Sequence, residues 1–300
     1  MDFADQDSTA HAAVFLSLSV LTVVLNALVI ISIWKDPFKN LEGISNYLIL
    51  NLAVSDLLVG IPAELFTALL HWFPYESVMQ VVDITSALGF YASGLTILGL
   101  AVERMIVISH SLKRADHLTY TNLTRGILCI WLSAGLIAIL PVLEWNSISR
   151  NRIIIFDSIG VLIFTLTVAC YARIFFLVRK GSHQNLTTEV GREERQYLTE
   201  NAREKEKIKR RERSVMRCVA ILVGLLIVCW APRYVLGNIA LLYEESCVIP
   251  DALTSIAWWL CFLHPLVNPI AYSLCTRKFR RALLKITCKC NSAPPRRAIA

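Results

Sequence analysis

Apolar residues along this chain gather into seven long runs separated by polar segments. The runs fall at 12–34, 46–70, 79–108, 123–143, 153–178, 214–243 and 250–274. Each reaches the length of about 20 mostly apolar residues that a membrane-spanning helix needs. An eighth element follows them. Phe279, Leu283, Leu284 and Ile286 share one helical face, opposite Arg277, Arg280, Arg281 and Lys285. That pattern predicts a short helix lying on a membrane surface. The expectation is an all-α membrane protein: a seven-transmembrane helix bundle over 12–274 with a short amphipathic eighth helix over 275–287. A segment 1–11 precedes the bundle and a tail 288–300 follows it.

Composition agrees, since 55% of the 300 residues are hydrophobic, more than a soluble domain of this length carries. Asp2, Asp5 and Asp7 stand where a cleavable signal would carry positive charge, so the first run is expected to serve as both targeting signal and first helix. Lys35, Lys39, Lys113, Arg114, Arg125, a dense basic cluster between Arg179 and Arg217, and the tail from Arg277 all fall on one side. Positive charge marks the cytoplasmic side, so the N-terminus is expected outside and the C-terminus in the cytoplasm, in the plasma membrane. The net charge of +7 is a topology signal and gives no reason to invoke nucleic acid. The segment 179–213 between the fifth and sixth runs reads from Arg192 onward as a charged helical stalk, with pairs such as Glu206 and Arg210 one turn apart. Two readings stand for Cys288 and Cys290: palmitoylated anchors beside the surface helix, or free thiols in a disordered tail.

Polar residues inside spans are costly and are functional hypotheses by default. Asn26 lies in the middle of the first run, and Asp56 in Asn51-Leu52-Ala53-Val54-Ser55-Asp56 of the second. Glu103-Arg104-Met105 closes the third, and Trp131 lies in the fourth. Cys229-Trp230-Ala231-Pro232 lies in the sixth, and Asn268-Pro269-Ile270-Ala271-Tyr272 ends the seventh. In this order, one per run, these landmarks resemble those of rhodopsin-like (class A) G protein-coupled receptors over about residues 14–287.

The resemblance implies a switch. Proline in a helix interior removes a hydrogen bond and kinks the helix, so the cytoplasmic half of the sixth helix can swing about Pro232. Glu212 lies about 30 Å before Pro232 along a helix, where the family keeps a latch carboxylate for Arg104. The other reading of Glu212 is a solvated stalk residue. Tyr171 and Tyr272 match the two tyrosines that turn inward on activation in this family. Asp56, Ser93 and Asn268 match three ligands of its allosteric sodium site, while His264 and Pro265 replace two other oxygen donors. Without sodium, Asp56 is expected protonated or bonded to Asn26 and Asn268. A heterotrimeric G protein and membrane lipid are the implied partners, with no cofactor beyond that sodium ion, and the protein is not expected to be an enzyme.

The departures are informative. Met79 stands where the family's outer disulfide begins, so that bridge is absent. Ile163 replaces the usual proline of the fifth helix, and Gly94 and Leu226 replace its usual packing partners. Phe262 and Ser86 occupy the positions of the retinal lysine and the amine-binding aspartate, which argues against a light or monoamine receptor. The short outer parts resemble the melanocortin, cannabinoid, lysophospholipid and adenosine receptor branch. Asp83, Ser86, Arg233, Tyr234, Trp258 and Phe262 are the expected ligand-contacting residues. Arg233, one turn from Trp230, is expected to pair internally with Asp83 or Glu64, or externally with an anionic ligand group. One of Trp258 and Trp259 is expected to line the cavity and the other to face lipid or a neighbouring helix. The reading is a receptor that binds an extracellular small molecule, lipid or short peptide within the bundle and activates a heterotrimeric G protein. The alternative is a receptor-fold protein that is ligand-independent or a non-coupling scaffold.

Overall fold

A computed structural model of the chain describes residues 6–39, 41, 43–70, 73, 75–109, 119–143, 149–183, 220–240, 242 and 249–288. Seven of its helices are long and apolar enough to cross a membrane. The first is α1 (Gln6–Lys35). The second is α2 (Ile44–Leu58), which passes through a π-helical turn at Val59–Glu64 into α3 (Leu65–Leu70). Then come α4 (Glu76–Ser109), α5 (Tyr120–Leu143), α6 (Ser149–His183), α7 (Ala220–Ala240) and α8 (Asp251–Cys275). The eighth helix is α9 (Arg277–Cys288). The described residues contain no strand. Helix α1 starts at Gln6, so part of the expected 1–11 segment is already helical. Most of the charged 179–213 segment lies outside the described residues.

Burial is inverted relative to a water-soluble protein. Thr22, Asn26, Ser32, Ser55, Asp56, Ser93, Thr96 and Asn268 are each 0% exposed. Leu128, Leu132 and Leu136, spaced one turn apart on α5, are 58, 64 and 66% exposed. A contiguous apolar stripe of that size belongs against another apolar phase, and the bilayer supplies it. Backbone groups cannot be left open there, which is why every span is helical.

The spans pack around α4, which meets α2, α5 and α6. One apolar cluster, at the end of the bundle nearest α9, joins Val29, Leu52, Ile97, Leu222, Leu226, Tyr272 and Phe279. A second joins α1, α4 and α8 through Phe15, Phe90 and Phe262. A third joins α4, α5 and α6 through Tyr91, Ala134 and Ile163. The turn into α2 needs Gly43, whose φ of +145° is a conformation side-chain-bearing residues rarely adopt. Asp36 closes the same turn by accepting the Leu41 N–H at 2.9 Å.

The π-helical turn in the second span was not apparent in the run of apolar residues. Pro62 inside it lacks an N–H, and π turns loosen the local backbone ladder. Helix α1 is fastened to this turn, with Ser19 Oγ donating to the Gly60 carbonyl at 2.7 Å. Helix α9 is amphipathic as expected, but its apolar side divides. Phe279 and Ala282 are buried, Phe279 with its ring 6.2 Å from Tyr272, whereas Leu284 is 51% exposed. Lys285 Nζ sits 4.8 Å over the Phe38 ring and pins α9 to the turn after α1.

Candidate functional site

Helix α8 carries Pro265 and Pro269 in its interior. A proline leaves the carbonyl four residues before it without a helical donor. For Pro269 that carbonyl is Pro265's, and Asn26 Nδ2 supplies the missing bond at 3.1 Å, while also reaching Thr22 O of its own helix at 3.0 Å. Beside it, Asn268 Nδ2 donates to Asp56 Oδ2 at 2.8 Å. Helix α8 is therefore tied to α1 and α2 together. Asn268 partners Asp56 as the sequence suggests, whereas Asn26 does not, because a proline-freed carbonyl is an acceptor with no donor of its own.

This polar core is not saturated. Asp56 Oδ1, Ser93 Oγ, Asn268 Oδ1 and both ring nitrogens of His264 are buried with no hydrogen-bond partner among the described residues. Buried polar atoms are almost always satisfied by protein, water or an ion. Oxygen atoms from an aspartate, a serine and an asparagine are a donor set suited to a hard monovalent cation or to water.

A second network crosses the bundle. Trp131 Nε1 donates to Asn51 Oδ1 at 2.9 Å, and Asn51 Nδ2 donates to Thr96 Oγ1 at 2.7 Å. One asparagine thus locks α2, α4 and α5. Nearer α9, Arg104 Nε lies 2.8 Å from Glu103 Oε2, an ion pair whose N–H is not aligned as a hydrogen bond. Ser45 Oγ bridges the two charges, donating to Glu103 Oε1 at 3.2 Å and accepting from Arg104 Nη2. Arg104 is thereby held toward α2. Ser45, Asn51 and Thr96 were not singled out in the sequence, where each is an ordinary polar residue of a span. Glu212, the expected latch, lies outside the described residues.

Toward the opposite end, aromatic rings run in sequence across four helices. Phe15 packs on Phe262 at 5.1 Å, Phe262 on Phe90 at 5.3 Å, Phe90 on Trp230 at 4.8 Å, and Trp230 stacks on Tyr234 at 5.8 Å. Gly160 of α6 lets Tyr234 in, since a Cβ there would lie 2.7 Å from Tyr234 Cζ. Trp259 packs on His11 of α1 at 5.0 Å, while Trp258 is exposed and tilts toward Phe262 at 6.2 Å.

Arg233 is placed differently from either internal expectation. Its guanidinium lies over the Trp258 ring at 5.0 Å, and the acid beside it is Asp157 of α6. A Cβ on Gly237 would meet Arg233 Nη1 at 2.5 Å and Asp157 Oδ2 at 2.8 Å. Glu64 is fully buried against α1, accepting from Thr22 Oγ1 at 3.3 Å, because it ends the π-helical turn and that turn shifts the helical register. Asp83 is exposed. Asp157 was legible in principle: it is the one acid in the apolar run 153–178, and a lone intramembrane charge asks for a partner. Ser86 is buried on α4, its Oγ without a hydrogen-bond partner among the described residues.

The replacements around the fifth helix fit one another. A Cβ on Gly94 would stand 3.7 Å from Ile163 Cγ2, ordinary contact, so the glycine leaves room beside a branched side chain. Leu226 instead joins the cluster nearest α9, against which Tyr171 also packs. Cys129, Cys170, Cys229 and Cys261 are free thiols.

Comparison with known proteins matches residues 25–272 to the family described as 7 transmembrane receptor (rhodopsin family). The chain is 26% identical to the sphingosine 1-phosphate receptor 1 of Danio rerio, over 94% of this chain and 79% of that protein. It is 24% identical to the alpha-1A adrenergic receptor of Mus musculus, over 90% of this chain and 66% of that protein. It is equally identical to the alpha-1D adrenergic receptor of Mus musculus, of whose length it spans 57%. The match begins within the first span, takes in the second to sixth spans whole and runs through the Asn268–Tyr272 motif, so this chain belongs to the rhodopsin family of seven-transmembrane receptors and is a membrane receptor rather than an enzyme.

Proposed function

We propose that the protein sits in the plasma membrane with its N-terminus outside, binds an extracellular ligand among α4, α6, α7 and α8, and promotes nucleotide exchange on a heterotrimeric G protein at the α9 end. The observation that carries this reading is the state of Arg104. A partly buried cation held by Glu103 and Ser45 on its own side of the bundle is available to be exchanged for a partner on α7 or on the G protein. A ligand shifts such an equilibrium only by binding one state better than the other. The charged 179–213 segment and Glu212 would face the G protein. The ligand would be a small molecule, a lipid or a short peptide. Asp83, Ser86, Arg233, Tyr234, Trp258 and Phe262 are assigned to its site, with Asp157 added.

The test is guanine-nucleotide exchange on a panel of G proteins in membranes bearing the chain, beside Arg104→Ala. Exchange above background that Arg104→Ala alters supports the reading; exchange identical in the variant sinks it. Glu212→Ala in the same assay reports on the latch. The ligand-independent alternative would show as high basal exchange that no ligand moves. It is favoured by the Gly94–Ile163 exchange, which changes how the pocket connects to α7.

We also assign Asp56, Ser93 and Asn268 as the residues that would hold a sodium ion, whose charge would stabilise the arrangement around Asp56. Replacing sodium by N-methylglucamine should lower the thermal unfolding midpoint of the wild type but not of Asp56→Asn. Equal responses would leave the site to water.

A further inference from the structure

Arg233 and Asp157 face each other without completing an ion pair. Both occupy the space a Cβ on Gly237 would need, from α7 and α6 respectively. Asp157 is 8% exposed, yet its Oδ2 has no hydrogen-bond partner among the described residues. The guanidinium leans instead on the Trp258 ring, which offers a π face but accepts none of the five N–H groups as a carboxylate would. A buried carboxylate oxygen without a donor is costly, and here it stands beside a donor that points elsewhere. The two charges cancel, so the site as a whole is neutral, while each charge keeps an open valence.

That arrangement selects a ligand by charge pattern. A simple anion on Arg233 would lie beside the Asp157 carboxylate, like against like. A simple cation on Asp157 would lie beside the Arg233 guanidinium. Both are opposed at short range in a medium of low dielectric. A compact zwitterion meets neither objection, since its cation satisfies Asp157, its anion satisfies Arg233, and no net charge is brought into the membrane interior. Because Arg233 Nη1 and Asp157 Oδ2 lie 2.5 and 2.8 Å from the one point a Gly237 Cβ would take, the ligand's own charges must be close together, as on a single carbon atom. Trp258 flanks the site and Phe262 lies next to it, which suits an apolar substituent on that carbon.

We propose that Asp157 and Arg233 form a head-group subsite for an α-amino acid, with the ammonium on Asp157, the carboxylate on Arg233 and the side chain directed toward Trp258 and Phe262. Gly237 is the residue that keeps the subsite open. The proposal rests on the preceding reading of a ligand site among these helices and narrows it to one chemical class.

The test uses the detergent-purified full chain and no G protein. The common α-amino acids are offered as free zwitterions, as N-acetyl acids and as C-terminal amides, and binding is read from the thermal unfolding midpoint against concentration. The expected result is that one or more free amino acids with apolar side chains bind at least about tenfold more tightly than both blocked forms. Arg233→Gln should reduce the free acid to the affinity of its amide, and Asp157→Asn should reduce it to that of its N-acetyl form. The ligand-free midpoint of each variant monitors folding. The double variant Asp157→Asn/Arg233→Gln, which restores neutrality, keeps the comparison open if a single variant is unstable, and it should lose the preference for the free acid altogether. Equal binding of the N-acetyl acid reduces the site to an anion site, equal binding of the amide reduces it to a cation site, and absence of binding by any free amino acid rejects it. Binding that triggers no nucleotide exchange would instead overturn the coupling reading and leave this subsite standing.

Discussion

Replacing Gly160 by alanine tests the packing of α6 on α7 more sharply than any change of charge. The added Cβ would lie 2.7 Å from Tyr234 Cζ and 3.1 Å from Cε1, with the hydroxyl oxygen closer still. Tyr234 cannot simply swing away, because its ring is stacked on Trp230 at 5.8 Å and Trp230 is wedged against Phe90 at 4.8 Å. The backbones of α6 and α7 must therefore separate, or the ring must leave its stack. Overpacking of this kind costs about 1–3 kcal/mol. Alanine recovers roughly 1 kcal/mol of helix propensity over glycine, so the net effect is a loss of up to about 2 kcal/mol. Gly94→Ala is the matched control, since its Cβ would find Ile163 at an ordinary 3.7 Å. It therefore keeps the propensity gain of about 1 kcal/mol. Thermal unfolding of the purified protein should place Gly160→Ala below the wild type and Gly94→Ala at or above it. Tyr234→Ala should remove the penalty of Gly160→Ala in a double-mutant cycle. If the two glycine variants unfold together, or if Tyr234→Ala fails to rescue, the close approach of α6 and α7 at Gly160 is wrong.

Other perturbations follow from the same geometry. Asn26→Leu should cost about 1–3 kcal/mol, because it leaves the proline-freed carbonyl of Pro265 buried without a donor; an unchanged unfolding midpoint would show that water takes the place of the amide. Ser45→Ala should raise basal nucleotide exchange, since it removes the hydroxyl that joins Arg104 to Glu103. Exchange at or below the wild-type level would mean that Ser45 does not restrain Arg104.

Much of the architecture was legible because the membrane makes hydrophobicity nearly equivalent to topology. Seven apolar runs became seven helices, and the alternating charge and apolar positions of 277–286 became α9. Landmark residues landed where their chemistry required: Asn268 on Asp56, Trp131 on the asparagine of α2, Tyr272 in the core beside Phe279. What escaped was set by a side chain's rotation about its helix, which an unbroken apolar run does not encode. Glu64 turned to α1 because of a π-helical turn around Pro62. Asp157 was passed over because it stands close to the start of its run, where an acid reads as an end of the span rather than its interior. Arg233 reads as a cation that needs a partner, but which acid stands beside it depends on which helices are neighbours, and that acid is Asp157. Gly160 and Gly237 looked like neutral small residues; their meaning lies in what approaches them.

The unequal attachment of α7 and α8 indicates which of them carries motion. Helix α8 is fastened by amide side chains, Asn26 to its backbone and Asn268 to Asp56, at 3.1 and 2.8 Å. These bonds are deep in the bundle, where breaking one strands a buried polar group at a cost of about 1–3 kcal/mol. Among the described residues, the hydrogen bond from α8 to α7 is that of the Cys261 thiol, which donates to the Cys229 carbonyl at 3.6 Å, and a thiol is a weak donor. The two helices also meet in the Arg233–Trp258 stack and in apolar packing around Tyr272. The contacts of α7 with α4 are apolar, Leu222 and Leu226 in the cluster with Ile97 and the Phe90–Trp230 ring pair, the latter worth about 0.5–1.5 kcal/mol and tolerant of sliding. Pro232 adds an interior break in its hydrogen-bond ladder. The expectation is that α7 samples a wider range of positions than α8 before any ligand arrives. Probes placed by unnatural amino acids at the lipid-facing Leu128, Val228 and Leu274, which are 58, 61 and 71% exposed, would measure it by pulsed electron resonance. The Leu128–Val228 distance distribution should be broader than that of Leu128–Leu274. A narrower α7 distribution would place the flexible joint in α8, whose two interior prolines then outweigh its amide fastenings, and would move the search for the switch from Pro232 to Pro265 and Pro269.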